Sequence, residues 1–296
     1  MVNMQSQQES RPAGALIVGC GDVGARIARR LGAEGVKVTG IVRRPGVAAD
    51  LEQQGIAARC VDLDSAPVTA LPAADWVFWC APPPPQGRHD SRLRRWLPAL
   101  AGRRVVYGST TGVYGDCGGR WIDETEPTAP LHDRGHRRLD AETALRASGV
   151  AAVILRIPGI YGPGRWPLAR LRAGAPVIRA DQSPPSNRIH AEDLAAVALL
   201  AARRGAPGRV YHVGDGQPSS MTDYFQQVAA HFGLPPPPEV DYDTARRTFT
   251  PSQWSFIEGA KRLRVTRARE ELGFVPVYPD LAAGLRAAQA SGEVSA

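Results

Sequence analysis

Ala15-Leu-Ile-Val-Gly19-Cys-Gly21-Asp22-Val23-Gly24-Ala-Arg-Ile-Ala-Arg-Arg-Leu31 decides the fold. The apolar start reads as a buried strand, the three glycines as a tight turn, and the remainder as an amphipathic helix. A second apolar run, Val36 to Val42, follows Gly35. Strand, glycine turn, helix and second strand in that order mark a dinucleotide-binding unit, whereas the glycines alone would fit any strand–helix turn. In such a unit Gly19 permits the turn, Gly21 lets the backbone approach a pyrophosphate, and Gly24 lets helix and strand pack closely. Asp22 and Val23 open the helix, whose N-terminus carries roughly half a positive charge and free N–H groups that favour a phosphate.

The end of the second strand bears on which dinucleotide fits. An NAD site usually has Asp or Glu about 20 residues past the glycines, accepting from a ribose hydroxyl. Arg43-Arg44-Pro45 stands there instead, with Arg43 19 residues after Gly24. A carboxylate would repel a 2′-phosphate, whereas a guanidinium can clamp one with paired charge-assisted bonds. NADP is the expected cofactor and NAD the alternative. Two solvated loop arginines would give the same sequence.

At 296 residues and 43% hydrophobic, the chain can bury a core large enough for one Rossmann-type unit and a smaller lobe. The net charge of +7 and pI of about 9.6 raise a nucleic-acid partner. Against it, only Lys37 and Lys261 among the 36 basic residues are lysines, which marks a compositional bias toward arginine. The basic residues are spread along the chain, with no interleaved aromatic and basic stripe. A basic surface still suits an anionic small-molecule substrate. Cys20, Cys60, Cys80 and Cys117 form no C-x-x-C pair and no cysteine–histidine zinc spacing, so no metal is expected. Cys60 and Cys80 fall in strand-like runs and read as small buried apolar residues. Residues 1–13 read as a disordered polar tail without an apolar signal core. No apolar run approaches 18 residues, so no membrane association and a cytoplasmic, reducing setting are expected.

Strand-like segments at 15–19, 36–42, 56–61, 76–81, 103–108, 151–157 and 209–213 alternate with helix-like segments at 22–33, 46–54, 90–101, 134–148, 191–204, 219–232 and 280–290. This alternation predicts an α/β fold with a doubly wound parallel sheet. The nucleotide-binding domain is expected over 14–165, with its sheet completed by about 186–216. Residues 166–185 and 217–290 then form a smaller interleaved substrate lobe. Pro82–Pro85 and Pro235–Pro238 must be stiff loops. The first lies at the carboxyl edge of the sheet, where ligands bind in such folds.

Further segments carry a family resemblance: Val105-Val-Tyr-Gly-Ser109-Thr110-Thr-Gly-Val-Tyr114-Gly115, Asp123-Glu-Thr-Glu-Pro127, Leu155-Arg156-Ile-Pro158-Gly-Ile-Tyr161-Gly-Pro-Gly164, Arg188-Ile-His190-Ala-Glu-Asp193, Tyr211-His-Val-Gly214 and Glu271-Leu-Gly273-Phe. In this order and spacing, over nearly all of residues 14–290, the chain resembles the extended short-chain dehydrogenases, the NAD-dependent epimerase/dehydratase family. The resemblance implies NAD or NADP as hydride carrier, a polar substrate such as a nucleotide-sugar, and a homodimer formed through helices that include 134–148. It places Asp62, Leu63, Ala81, Pro82 and Pro158 beside the cofactor, and Arg165, Arg188 and His190 along the substrate cleft.

Two departures stand out. Val18 replaces the first glycine of the family's G-x-x-G-x-x-G turn, but backbone N–H groups at a helix start remain. The family's Tyr-x-x-x-Lys pair is replaced by Arg134 and Arg138, aligned on Glu142. A helix brings i and i+4 onto one face, so the tyrosine exchanges a proton while the lysine lowers its pKa from about 10. Arginine does not exchange a proton near neutrality. Arg138 can still hydrogen-bond a nicotinamide ribose, or else pair with Glu142 on a solvated face. Thr110 matches the family's serine/threonine position and can polarise a carbonyl. Tyr114, His132 and His136 are the remaining candidates for the missing proton carrier. Two functions follow from these residues: an epimerase- or reductase-type enzyme with altered proton chemistry, or a degenerate protein that binds NADP(H) as a sensor.

Overall fold

The computed structural model describes residues 11–290. Seven strands build the central sheet: β1 (Gly14–Val18), β2 (Lys37–Val42), β3 (Ala57–Cys60), β4 (Trp76–Trp79), β5 (Arg104–Thr110), β6 (Ala151–Ile157) and β7 (Val210–His212). All pair in parallel, in the spatial order β3-β2-β1-β4-β5-β6-β7. The direction of winding changes between β1 and β4, so a crevice opens there at the strands' carboxyl ends. The helices are α1 (Asp22–Ala33), α2 (Pro45–Gln53), α3 (Ser91–Leu100), α4 (Asp133–Ala147), α5 (Leu168–Arg172), α6 (Ala191–Arg204), α7 (Met221–His231), α8 (Tyr242–Thr248), α9 (Pro251–Trp254), α10 (Thr266–Leu272) and α11 (Leu281–Ala290).

Alternate residues of each strand feed two cores. Ala15, Ile17, Trp76 and Phe78 face the cluster that holds Ile27 of α1, Leu51 of α2 and Leu194 of α6. Leu16, Val18, Val77 and Trp79 face the cluster with Leu93 and Trp96 of α3 and Leu145 of α4. A parallel sheet covered on both faces needs such unbroken apolar runs, and each large side chain fully buried contributes about 1.5–3 kcal/mol. A third cluster joins Tyr161, Leu171, Val177, Phe225 and Leu285, from segments after β6 that include α5, α7 and α11.

Several sequence expectations change. Ala268 and Leu272 of α10, with Phe274, pack into the main core instead of the smaller lobe expected over 217–290. Gly273 adopts a left-handed C-cap that ends α10 and turns Phe274 inward. Helices α5, α8, α9 and α10 were not legible because runs of seven residues or fewer give too little periodicity. Cys60 is exposed, since β3 is the sheet's edge strand and only its inner neighbour covers it. Of the tail expected over 1–13, residues 1–10 lie outside the described residues. Ala13 is tethered, its N–H donating to Asp75 Oδ2 at 2.6 Å. No helix among the described residues is long and apolar enough to cross a membrane.

Candidate active site

The glycine turn joins β1 to α1 in a shape that side chains would obstruct. Gly19 has φ +81°, and a Cβ there would lie 2.5 Å from the Ala81 backbone. A Cβ on Gly24 would lie 2.8 Å from Ile17 Cγ2, so this glycine sets how closely helix and strand approach. Around Gly21 nothing lies within 4 Å of a built Cβ. Gly21 is the N-cap of α1 and offers no side-chain acceptor, unlike Asp90, Ser220, Asp241 and Thr250, which cap α3, α7, α8 and α9. The first-turn N–H groups of α1 are therefore left to an external acceptor, and the open space at Gly21 gives it room. These features fit a dinucleotide diphosphate.

The turn opens into a cleft of about 560 Å³. Gly19, Gly21, Asp22, Val23 and Gly24 form one wall, and Pro82–Pro85, Thr110, Pro158 and α4 form others. On α4, Arg134, Arg137 and Arg138 all line it, with Arg165 and Lys261 nearby. Close approach of α4 depends on Gly135, where a Cβ would lie 2.6 Å from the Gly112 carbonyl oxygen. Burial, then Arg138 and Arg137, push the Arg134 guanidinium's pKa down. It lies 4.7 Å above the Phe256 ring. Arg138 Nη1 donates to Tyr107 Oη at 3.1 Å and to the Ala81 carbonyl at 3.3 Å. Arg137 Nη1 donates to the Gly87 carbonyl at 2.6 Å. The cleft is thus strongly cationic, with Asp22 and Glu258 as its carboxylates. Burial opposes ionisation of Asp22, but ion pairs with Arg165 and Arg26 hold it below the usual carboxylate range.

Arg138 does not pair with Glu142. The Glu142 carboxylate is fully buried, accepts from Ser109 Oγ, and takes a fork from Arg156 at 3.1 and 2.7 Å. Arg138, released from that alternative, faces the cleft. Thr110 lies on the wall, where its Oγ1 accepts from Gly112 N at 3.2 Å.

Other expected site residues lie elsewhere. Tyr114 is buried outside the cleft lining; Arg156 Nη1 donates to its hydroxyl at 2.6 Å, and the hydroxyl contacts His212 Nε2. Burial drives its pKa up, so it is no proton carrier for this cleft. His136 does not line the cleft either. His132 is the N-cap residue of α4, with Nε2 3.2 Å from Glu258 Oε2; the histidine touches the cleft only through that carboxylate.

Arg165 is held by Asp22, with Nε 2.5 Å from Oδ2, and so stands beside the cofactor turn rather than free in the cleft. Arg188 is buried and donates to Ser219 Oγ, Ser186 Oγ and the Ser220 carbonyl, 4.6 Å over the Tyr224 ring. His190 caps α6 by accepting from Glu192 N and stacks on Tyr278; burial lowers its pKa to about 4. Arg188 and His190 are structural here and absent from the cleft wall.

Among the remaining cofactor candidates, Arg43 and Arg44 are exposed just past β2, and neither has an ion-pair partner among the described residues. Asp62 Oδ1 and Oδ2 accept from Asp64 N and Ser65 Oγ, bracing its own turn. The Leu63 carbonyl accepts from Arg95 and Trp96, and Ala81 backs Gly19. Sequence reasoning missed Arg137, Asn187, Glu258 and Lys261 as cleft residues. Only Lys261 left a signal, as one of two lysines in an arginine-rich chain.

The sequence pattern of the NAD(P)H-binding family matches residues 19–204. Protein YeeZ of Escherichia coli K12 is 30% identical over 279 residues, spanning 89% of this chain and 96% of YeeZ. UDP-glucose 4-epimerase of Azospirillum brasilense is 28% identical over 62% of this chain and 59% of its own length. The structure of MoeE5 in complex with UDP-glucose and NAD is 25% identical, with a TM-score of 0.73, over 94% of this chain and 99% of that one. With the turn, the sheet order and these similarities together, the chain belongs to the NAD(P)H-binding proteins of the NAD-dependent epimerase/dehydratase family, the extended short-chain dehydrogenases.

Proposed function

We propose that the protein transfers hydride between a nicotinamide dinucleotide, NADP(H) in preference to NAD(H), and a polar anionic substrate. The observation that carries this is the cationic α4 wall of Arg134, Arg137 and Arg138 across from the uncapped start of α1. The bound dinucleotide supplies and accepts the hydride. The α1 amides hold its diphosphate, Arg138 hydrogen-bonds its nicotinamide ribose, and Thr110 polarises a substrate carbonyl. Arg134 and Arg137 clamp a substrate carboxylate or phosphate, since charge-assisted guanidinium bonds are strongest to such oxyanions. MoeE5 in complex with UDP-glucose makes nucleotide-sugars one substrate class to include. The test is turnover of NADPH or NADP with nucleotide-sugars, sugar phosphates and hydroxy acids, followed at 340 nm. Tight nucleotide binding without turnover across that panel would overturn it.

Arg43 and Arg44 carry the cofactor preference. NADP(H) should raise the melting temperature more than NAD(H), and Arg43→Asp should shift the ratio of the two affinities about tenfold or more toward NAD(H), roughly 1.4 kcal/mol. Equal preference in both proteins would show that these arginines are solvent-facing only.

The second function, an NADP(H) sensor without turnover, is favoured by arginine standing where a phenol would exchange the proton. Arg134→Tyr with Arg138→Lys separates the two. Activity gained only in the double variant supports the sensor, with a scaffold otherwise complete; activity before the change refutes it. In the enzyme, the double variant should lose substrate affinity, as a clamp would.

A further inference from the structure

We propose that Lys261 is the proton-exchanging group of the cleft, taking the place of the phenol that Arg134 replaces. The proposal rests on the hydride-transfer assignment above. Thr110 is a poor base, arginines keep their protons near neutrality, and Glu258 is turned toward His132. Lys261 lines the same cleft with its side chain buried, and Nζ donates to the Gly259 carbonyl.

Its place is fixed from both sides. Asn187 Nδ2 donates to the Lys261 carbonyl at 2.9 Å, and Asn187 Oδ1 accepts from Leu263 N at 2.9 Å. The next residues, Arg262–Leu263, pair with Trp121–Ile122. Gly259 abuts the segment that continues from Thr110, where its built Cβ would lie 2.8 Å from the Gly115 carbonyl oxygen. Lys261 and Thr110 line the same cleft.

The charged and titratable groups that act on it are Cys117 and Asp116 from that segment, while Glu258 from its own loop and Arg134 and Arg138 from α4 line the same cleft. Among the described residues none of the carboxylates is within ion-pair distance of Nζ. Burial accordingly pushes the amine's pKa down from its usual value. A chain that uses arginine almost everywhere keeps lysine here, and lysine is the cation that can release its proton.

In reduction, the ammonium gives one proton to the carbonyl oxygen as hydride from the reduced nicotinamide adds to the carbonyl carbon, leaving a neutral amine and an alcohol. In oxidation, the neutral amine takes the hydroxyl proton as hydride leaves carbon for the oxidised nicotinamide.

Two lysines permit a direct test on the whole protein. Lysine labelled with ¹³C at Cε gives one resonance for exposed Lys37 and one for Lys261, assigned with Lys261→Met or, should that variant not fold, Lys261→Arg. Lys261 is expected to titrate below the usual lysine range, because burial disfavours the charged amine. A midpoint within or above that range overturns the proposal. With any substrate the panel identifies, Lys261→Arg should lower kcat about 100-fold or more. KM and nucleotide affinity should stay within about twofold, and the pH profile should lose the limb set by the amine. Wild-type kcat in Lys261→Arg overturns Lys261 alone. Absence of wild-type turnover with nucleotide bound overturns the hydride-transfer assignment instead.

Discussion

Gly21→Ala is expected to fold as the wild type does and to lose NAD(P)H affinity about 100-fold, roughly 2.7 kcal/mol. A methyl group at Gly21 meets no protein atom within 4 Å, and its φ of −90° suits any residue. The unliganded melting temperature should move by no more than about 2–4 °C, the allowance for a weaker N-cap. The same methyl occupies the space that a diphosphate needs in order to reach the first-turn amides. Gly19→Ala is the control. Its Cβ would strike the Ala81 backbone from a left-handed conformation, so stability and binding should fall together. Isothermal titration with NADPH, beside thermal melts of both variants, checks this. Undiminished affinity in a well-folded Gly21→Ala protein would remove the diphosphate from the α1 turn.

That contrast between neighbouring glycines marks how far the sequence could be read. The order strand, glycine turn, helix and strand was legible because each part imposes its own period or backbone requirement within 30 residues. The α4 face was legible for the same reason: i and i+4 spacing puts Arg134 and Arg138 on one side, and both line the cleft. Local spacing fails where the partner comes from another element. Glu142 offered Arg138 as a helical neighbour, yet the burial of its carboxylate selects Arg156 from β6. Arg188 and His190 lie in a segment expected at the cleft, but their side chains turn inward to cap and brace. Lys261 was passed over because only the folding of residues 255–263 back against the segment after β5 brings it to the cleft. Cys60 shows the same limit, since a strand-like run does not say whether its strand is an edge.

Arg156→Met should cost about 3–5 kcal/mol of stability, the largest effect expected of a single side chain here. Arg156 is 3% exposed and Glu142 is 0% exposed, so the guanidinium fork is the main compensation for a carboxylate removed from water. Arg156 also donates to the Tyr114 hydroxyl. That hydroxyl bonds to His212 Nε2, while His212 Nδ1 faces the Arg264 carbonyl at 3.1 Å. Burial lowers the His212 pKa to about 3, so the ring is neutral, donates through Nδ1, and accepts a hydrogen bond from the Tyr114 hydroxyl at Nε2. Methionine fills most of the arginine's volume but leaves the Glu142 carboxylate with Ser109 Oγ and a distant Arg146, 3.9 Å away. Because the loss comes from a stranded charge rather than a missing attraction, Glu142→Met added to Arg156→Met should recover more than half of it. Urea melts of the two single variants and the double variant close the cycle. Additive losses in the double variant would mean that the pair is not coupled, and that Arg156 matters through Tyr114 and packing alone.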